Sequence, residues 1–227
     1  MSLYSLILAN KWLLEVLYAF IIALICAVIV IKTDKFFRLS LHQGIRYFRN
    51  AFFFFGVGFI AKYIFGLLSD LNFSFVYVAQ VIFEYFLVMA GFFLLYSLVW
   101  RRFESSREGY FSSLFNAKIA VFHVMALVIA LLDDIWRTYY FMFASQIIIF
   151  FYASIISFAN LRRNRNKYKF QKFYFVAMLL GLIAWTLNLL APLYFNWSSE
   201  ILINIGIINI IFFLLFLYGV IKVTKTE

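Results

Sequence analysis

Apolar residues in this chain come in long runs, not in the alternation of a strand or the one-sided stripe of a surface helix. Segments such as Ala51–Phe55 and Ile208–Leu217 do not alternate, which argues against the dyad pattern of a membrane β-barrel. A stretch of about 20 apolar residues crosses the hydrocarbon core as a helix. The runs predict seven helical spans, at 12–31, 47–69, 75–99, 117–132, 138–160, 173–193 and 201–221. The expected fold class is therefore all-α integral membrane, one polytopic domain over 1–227. Within that length no room is left for a soluble catalytic or kinase domain. The first run is too long for a cleavable signal and lacks a basic leader and a small-residue cleavage site, so it is expected to stay as an anchor.

Composition agrees: 66% of residues are hydrophobic, 13% are charged, and the mean hydropathy is +0.96. The charges add an orientation. Basic residues gather in alternate connections. The first holds Lys32, Lys35, Arg38, Arg46 and Arg49; the third holds Arg101, Arg102, Arg107 and Lys118. The fifth holds Arg162, Arg163, Arg165, Lys167, Lys169 and Lys172, and the tail holds Lys222 and Lys225. The other side has Lys11 and Arg137 against Glu15, Asp70, Asp133, Asp134 and Glu200. By the positive-inside rule the N-terminus is outside and the C-terminus cytoplasmic, as a multi-pass protein of the cell membrane. The net charge of +10 is thus topogenic and points to anionic lipid headgroups at the cytoplasmic face, not to nucleic acid. Arg162, Arg163, Arg165, Lys167 and Lys169 form the densest patch, a candidate contact for lipid or an acidic cytoplasmic partner.

Two three-span units look like copies of one another. Gly58-Phe59-Ile60-Ala61 matches Gly181-Leu182-Ile183-Ala184, 123 positions on, and Phe92-Phe93-Leu94-Leu95 matches Phe212-Phe213-Leu214-Leu215, 120 positions on. Asn72-Phe73-Ser74 and Asn196-Trp197-Ser198 precede the third span of each unit. Both are N-x-Ser sequons, and Ser74 and Ser198 also suit helix capping. The expected layout is repeat unit one over about 12–100, a linker helix over about 117–132 and repeat unit two over about 138–222. Because three is odd, the fourth span restores the direction, giving a parallel 3+1+3 repeat about an axis along the membrane normal. This layout resembles, in topology, the SWEET and PQ-loop proteins, vitamin-precursor transporters and microbial rhodopsins. The chain departs from their motifs: Pro192 is its one proline, so neither unit has a Pro-Gln pair, and the seventh span has no internal lysine for retinal.

Ionisable residues within a span are costly and mark candidate sites. Lys62 lies ~10 Å below Ser69 and Glu84 ~15 Å below Ser74 along their helices, so the two are expected to pair. A structural ion pair and an outward-reaching Lys62 are the plainer alternatives. Facing copies would gather Lys62, Gln80, Glu84, Trp185, Asn188 and Asn204 around a cavity for a small polar solute. Lys62 over the Trp185 indole is the bland version of that contact. His123, the one histidine within a span, is either a satisfied interior residue or, with Glu84, part of a proton relay. Asp133 and Asp134 read as a solvated outer turn, and Ser154, Ser157 and Asn160 as interhelical hydrogen-bond partners.

Cys26 is the sole cysteine, so neither an intrachain disulfide nor a thiolate cluster is expected. No metal-ligating cluster, cofactor or hydrolase motif is found, and an enzyme is not expected. These features favour a transporter of a small polar solute with its site between the two units. A seven-helix sensor signalling through its basic loops and a structural membrane subunit are the alternatives. Oligomeric state is left open.

Overall fold

The computed structural model describes residues 11–40, 43–69, 74–103, 117–163, 169–195 and 199–224. Asn72, Asn196, Trp197 and Ser198, and of the basic patch Arg165 and Lys167, lie outside the described residues. Those described form helices α1 (Lys11–Ser40), α2 (Gln43–Ser69), α3 (Ser74–Phe103), α4 (Ala117–Trp136), α5 (Tyr140–Arg163), α6 (Lys169–Phe195) and α7 (Ser199–Thr224). All except α2 are shown to be long and apolar enough to cross a membrane. The helices extend the expected spans at one or both ends, most of all α1, which runs nine residues further, to Ser40. A helix satisfies its own backbone groups, which hydrocarbon demands.

The outer surface is apolar. Leu17, Phe20 and Leu24 of α1, Val121, Val124 and Val128 of α4, and Phe151, Tyr152 and Ile155 of α5 are exposed. In water such a surface would drive aggregation; against lipid tails it costs nothing. Polar side chains lie inside instead: Arg46, Asn50, Glu84, Asp133, Gln146, Ser154 and Ser157 are all buried.

Each helix of a six-membered ring packs on its neighbours, in the order α1, α2, α3, α5, α6, α7 and back to α1. α4 packs outside this ring, against α3 and α5. Accordingly α3 is the most buried of the apolar spans and α4 the least. Phenyl rings fill the centre. Phe52 of α2 meets Phe216 at 5.0 Å and Phe213 at 6.1 Å, and Phe55 meets Phe213 edge-on at 5.3 Å. Edge-to-face pairs of this kind add about 0.5–1.5 kcal/mol each to burial. Helices also close up at glycine: a Cβ on Gly181 of α6 would lie 2.5 Å from Phe150 and 2.8 Å from Phe212.

One end of the bundle is basic and closely tied. Asp34 of α1 pairs with Arg38 at 3.0 Å and with Arg49 of α2, and Arg49 donates to the Asn50 amide at 3.2 Å. The guanidinium groups of Arg46 and Arg49 lie over the Phe37 ring. At the same end Tyr174 of α6 meets Ser97 of α3 at 2.9 Å, and Phe173 meets Tyr218 of α7 at 5.1 Å.

At the opposite end a tight turn joins α4 to α5. Thr138 N donates to Asp133 O at 2.9 Å and Arg137 N to Asp134 O at 3.2 Å. With Arg137 left-handed at φ 52°, this is a Schellman closure without glycine. The Arg137 guanidinium lies 5.3 Å from the Tyr77 ring centre, which holds the turn against α3.

Candidate functional site

The turn determines where Asp133 goes. Asp133 is fully buried, and its carboxylate takes hydrogen bonds from Thr138 Oγ1 at 2.9 Å, Phe141 N at 3.0 Å and Met142 N at 2.7 Å. These last two are free N–H groups of the first turn of α5, where negative charge is favoured. The expectation of a solvated outer turn thus fails for Asp133: it is an interior cap, while Trp136 and Arg137 are exposed.

Glu84 of α3 is also fully buried. Gln80, one turn away, donates from Nε2 to Glu84 Oε1 at 2.8 Å and to the Thr138 carbonyl at 3.3 Å. Glu84 Oε2 receives no hydrogen bond from a described donor, and the Asp133 carboxyl lies within hydrogen-bonding reach of the group. Asp133 and Asp134 are the charged groups near enough to act on this carboxyl. Tyr139, in the turn, stands near both Glu84 and Asp133. The result is a cluster of acidic side chains where α3, α4 and α5 meet. Phe143 of α5 continues it, with Tyr139 on one side and Trp185 of α6 on the other, each 6.1 Å away.

Of the six residues expected around one cavity, Gln80 and Glu84 come together and Trp185 borders them through Phe143. Lys62 does not join them. It is exposed, with Nζ 4.7 Å from the centre of the Phe83 ring, so its cation–π partner is Phe83 and not Trp185. No salt bridge joins it to Glu84; the described salt bridges both belong to Asp34. The reason is rotational: depth along two helices says nothing about which way each side chain points. Asn188 bonds back to Ala184 O in its own helix at 2.8 Å, and Asn204 is exposed. The register proposed for the repeat also pairs unlike environments, since Leu94 is buried where its match Leu214 is 45% exposed.

His123 of α4 takes a 2.6 Å contact from its Nδ1 to Tyr85 Oη and stacks on that ring. It meets Glu84's neighbour rather than Glu84, in keeping with a satisfied interior histidine. Ser154 and Ser157 are buried, yet neither hydroxyl has a partner among the described residues, so their expected interhelical bonds are not formed. Of the basic patch, Arg162 is exposed at the end of α5, Arg163 closes that helix and Lys169 opens α6.

The sequence reading passed over Gln146. It is fully buried in α5 and donates from Nε2 to Leu87 O of α3 at 2.9 Å. Gly91 makes room, because a Cβ there would lie 2.7 Å from Gln146 Oε1. The signal was present: an amide in the middle of an apolar span.

A protein of Archaeoglobus fulgidus, itself described as uncharacterized, is 27% identical over 186 residues, which cover 77% of each chain. No family model and no solved structure matches the chain.

Proposed function

We propose that this protein is a seven-span transporter of a small polar solute that carries a cationic group. The observation that bears most weight is the Glu84 carboxyl. It is wholly buried, receives a described hydrogen bond at one oxygen only, and has the Asp133 carboxyl within hydrogen-bonding reach, so that the two acids can share one cation or proton. Buried negative charge without a matching cation is expensive. A solute ammonium or a proton would supply what is missing. The Phe143 and Trp185 rings offer the stacking faces that a cationic organic molecule prefers.

The neighbour pattern adds support for the parallel repeat at the level of whole helices. Exchanging α1, α2 and α3 for α5, α6 and α7 turns every contact of the ring into another contact of the ring. Only α4 lacks a counterpart, as a linker should. Glu84 then sits on the seam between the units, where transporters of this design bind. In this reading α2 is the seventh span, and the basic end lies in the cytoplasm at the cell membrane. The buried Glu84 corresponds to a closed state between the two openings.

The test is ligand-dependent thermal stability of the purified protein against a panel of small primary and quaternary amines. A solute at about 100 times its Kd stabilises by ~2.7 kcal/mol. A compound that stabilises the protein, is taken up by proteoliposomes, and loses both effects in Glu84→Gln supports the proposal. Equal stabilisation and uptake in Glu84→Gln removes this site from the mechanism.

A further inference from the structure

Buried polar atoms without partners are rare, and each calls for water or a ligand. Here they are not scattered. Six such side-chain atoms occur among the described residues, and five lie along one route: Glu84 Oε2, Gln146 Oε1, Ser154 Oγ, Ser157 Oγ and Gln171 Oε1. Glu84 stands near the end away from the basic residues. Gln146 is bonded to Leu87, only three residues or ~4.5 Å further along α3. From Gln146, Ser154 and Ser157 lie eight and eleven residues along α5, ~12 and ~16 Å closer to the basic end.

α3 reaches the same depth at Ser97, whose hydroxyl meets Tyr174 of α6 and bonds to Leu94 O at 2.6 Å. Gln171 is one turn from Tyr174, at the start of α6. Between these rungs Ala90, Gly91, Ala153 and Ala177 are buried beside the larger Leu94 and Phe150.

We propose that this α3–α5–α6 seam is a hydrated proton path from Glu84 to the basic end, making the proton the ion coupled to solute movement. The path takes Glu84 as the site proposed above. Water molecules bound at Gln146, Ser154 and Ser157 relay the proton, which enters from or leaves to bulk water beyond Gln171. The titratable groups facing Glu84 are Asp133, Asp134 and Tyr139, all on the other side of Glu84 from the relay.

Proteoliposomes loaded with a pH-sensitive dye and given a potassium gradient test it, with valinomycin setting the potential. Wild-type protein conducts protons above the level of empty liposomes. Gln146→Leu lowers the rate about tenfold, a barrier increase of ~1.4 kcal/mol. Ser157→Ala is the conservative second variant, since it deletes an unpartnered hydroxyl and leaves packing intact; it too slows the flux. Wild-type flux no greater than that of empty liposomes overturns the path, as does wild-type flux in Ser157→Ala together with any folded Gln146→Leu. Solute binding, read separately by thermal shift, keeps the two ideas apart. Binding without proton flux removes only the path, and flux without binding removes only the solute site.

Discussion

Asp133 offers the sharpest check on the packing. Its carboxylate is the acceptor for Thr138 Oγ1, Phe141 N and Met142 N, all within 2.7–3.0 Å. Replacing it with alanine deletes a helix cap, worth about 0.5–2 kcal/mol in water. It also strands buried donors, at about 1–3 kcal/mol each. The stranded groups are at the edge of a bilayer, where water replaces them poorly. The net expectation for Asp133→Ala is ~3 kcal/mol. Asp133→Asn keeps one acceptor oxygen and costs about half as much. Asp134, next in the chain, contributes its backbone carbonyl to the turn, and Asp134→Asn is expected to stay within ~0.5 kcal/mol of wild type. The assay is reversible unfolding in mixed micelles with increasing SDS, followed by helical circular dichroism. Equal costs for Asp133→Ala and Asp134→Asn would refute the reasoning, because they would make the two aspartates alike.

Three further outcomes follow from particular contacts. Gly181→Ala forces a Cβ against Phe150 and Phe212 and costs about 1–3 kcal/mol. Gly206→Ala, whose Cβ meets Tyr18 at an ordinary 3.7 Å, is near neutral, and parallel melting curves compare the two. Tyr85→Phe removes the hydroxyl at His123 Nδ1 and costs ~1 kcal/mol in the same unfolding assay. Lys62→Met leaves solute uptake in place, since Lys62 neither pairs with Glu84 nor stacks on Trp185; lost uptake would restore Lys62 to the site.

Helices were legible because apolar run length reports directly on bilayer thickness, and each expected span lies on a helix except for residues 138 and 139, which belong to the turn before α5. Helix ends were less so. The residues past the apolar run of α1, through Thr33 and Asp34 to Arg38, stay helical because Asp34–Arg38 is a one-turn ion pair backed by Arg49. The site was half legible. Gln80 and Glu84 are one turn apart on the same helix, so the sequence alone places them together. Lys62 and Asn204 failed because azimuth around separate helices is set by packing, which spacing does not encode. Asp133 failed for another reason. Two aspartates beside Trp136 and Arg137 look solvated until the left-handed Arg137 folds α5 back onto the first of them.

The central claim is that the Glu84 site opens to both sides of the membrane. Gln80→Cys in a Cys26→Ser background puts one thiol beside Glu84. A membrane-impermeant thiol reagent is then applied from outside to one set of right-side-out vesicles and from inside to another. Labelling from both faces, blocked in each case by the stabilising amine, is the predicted result. Labelling from one face alone would make the pocket a dead end and contradict transport through it.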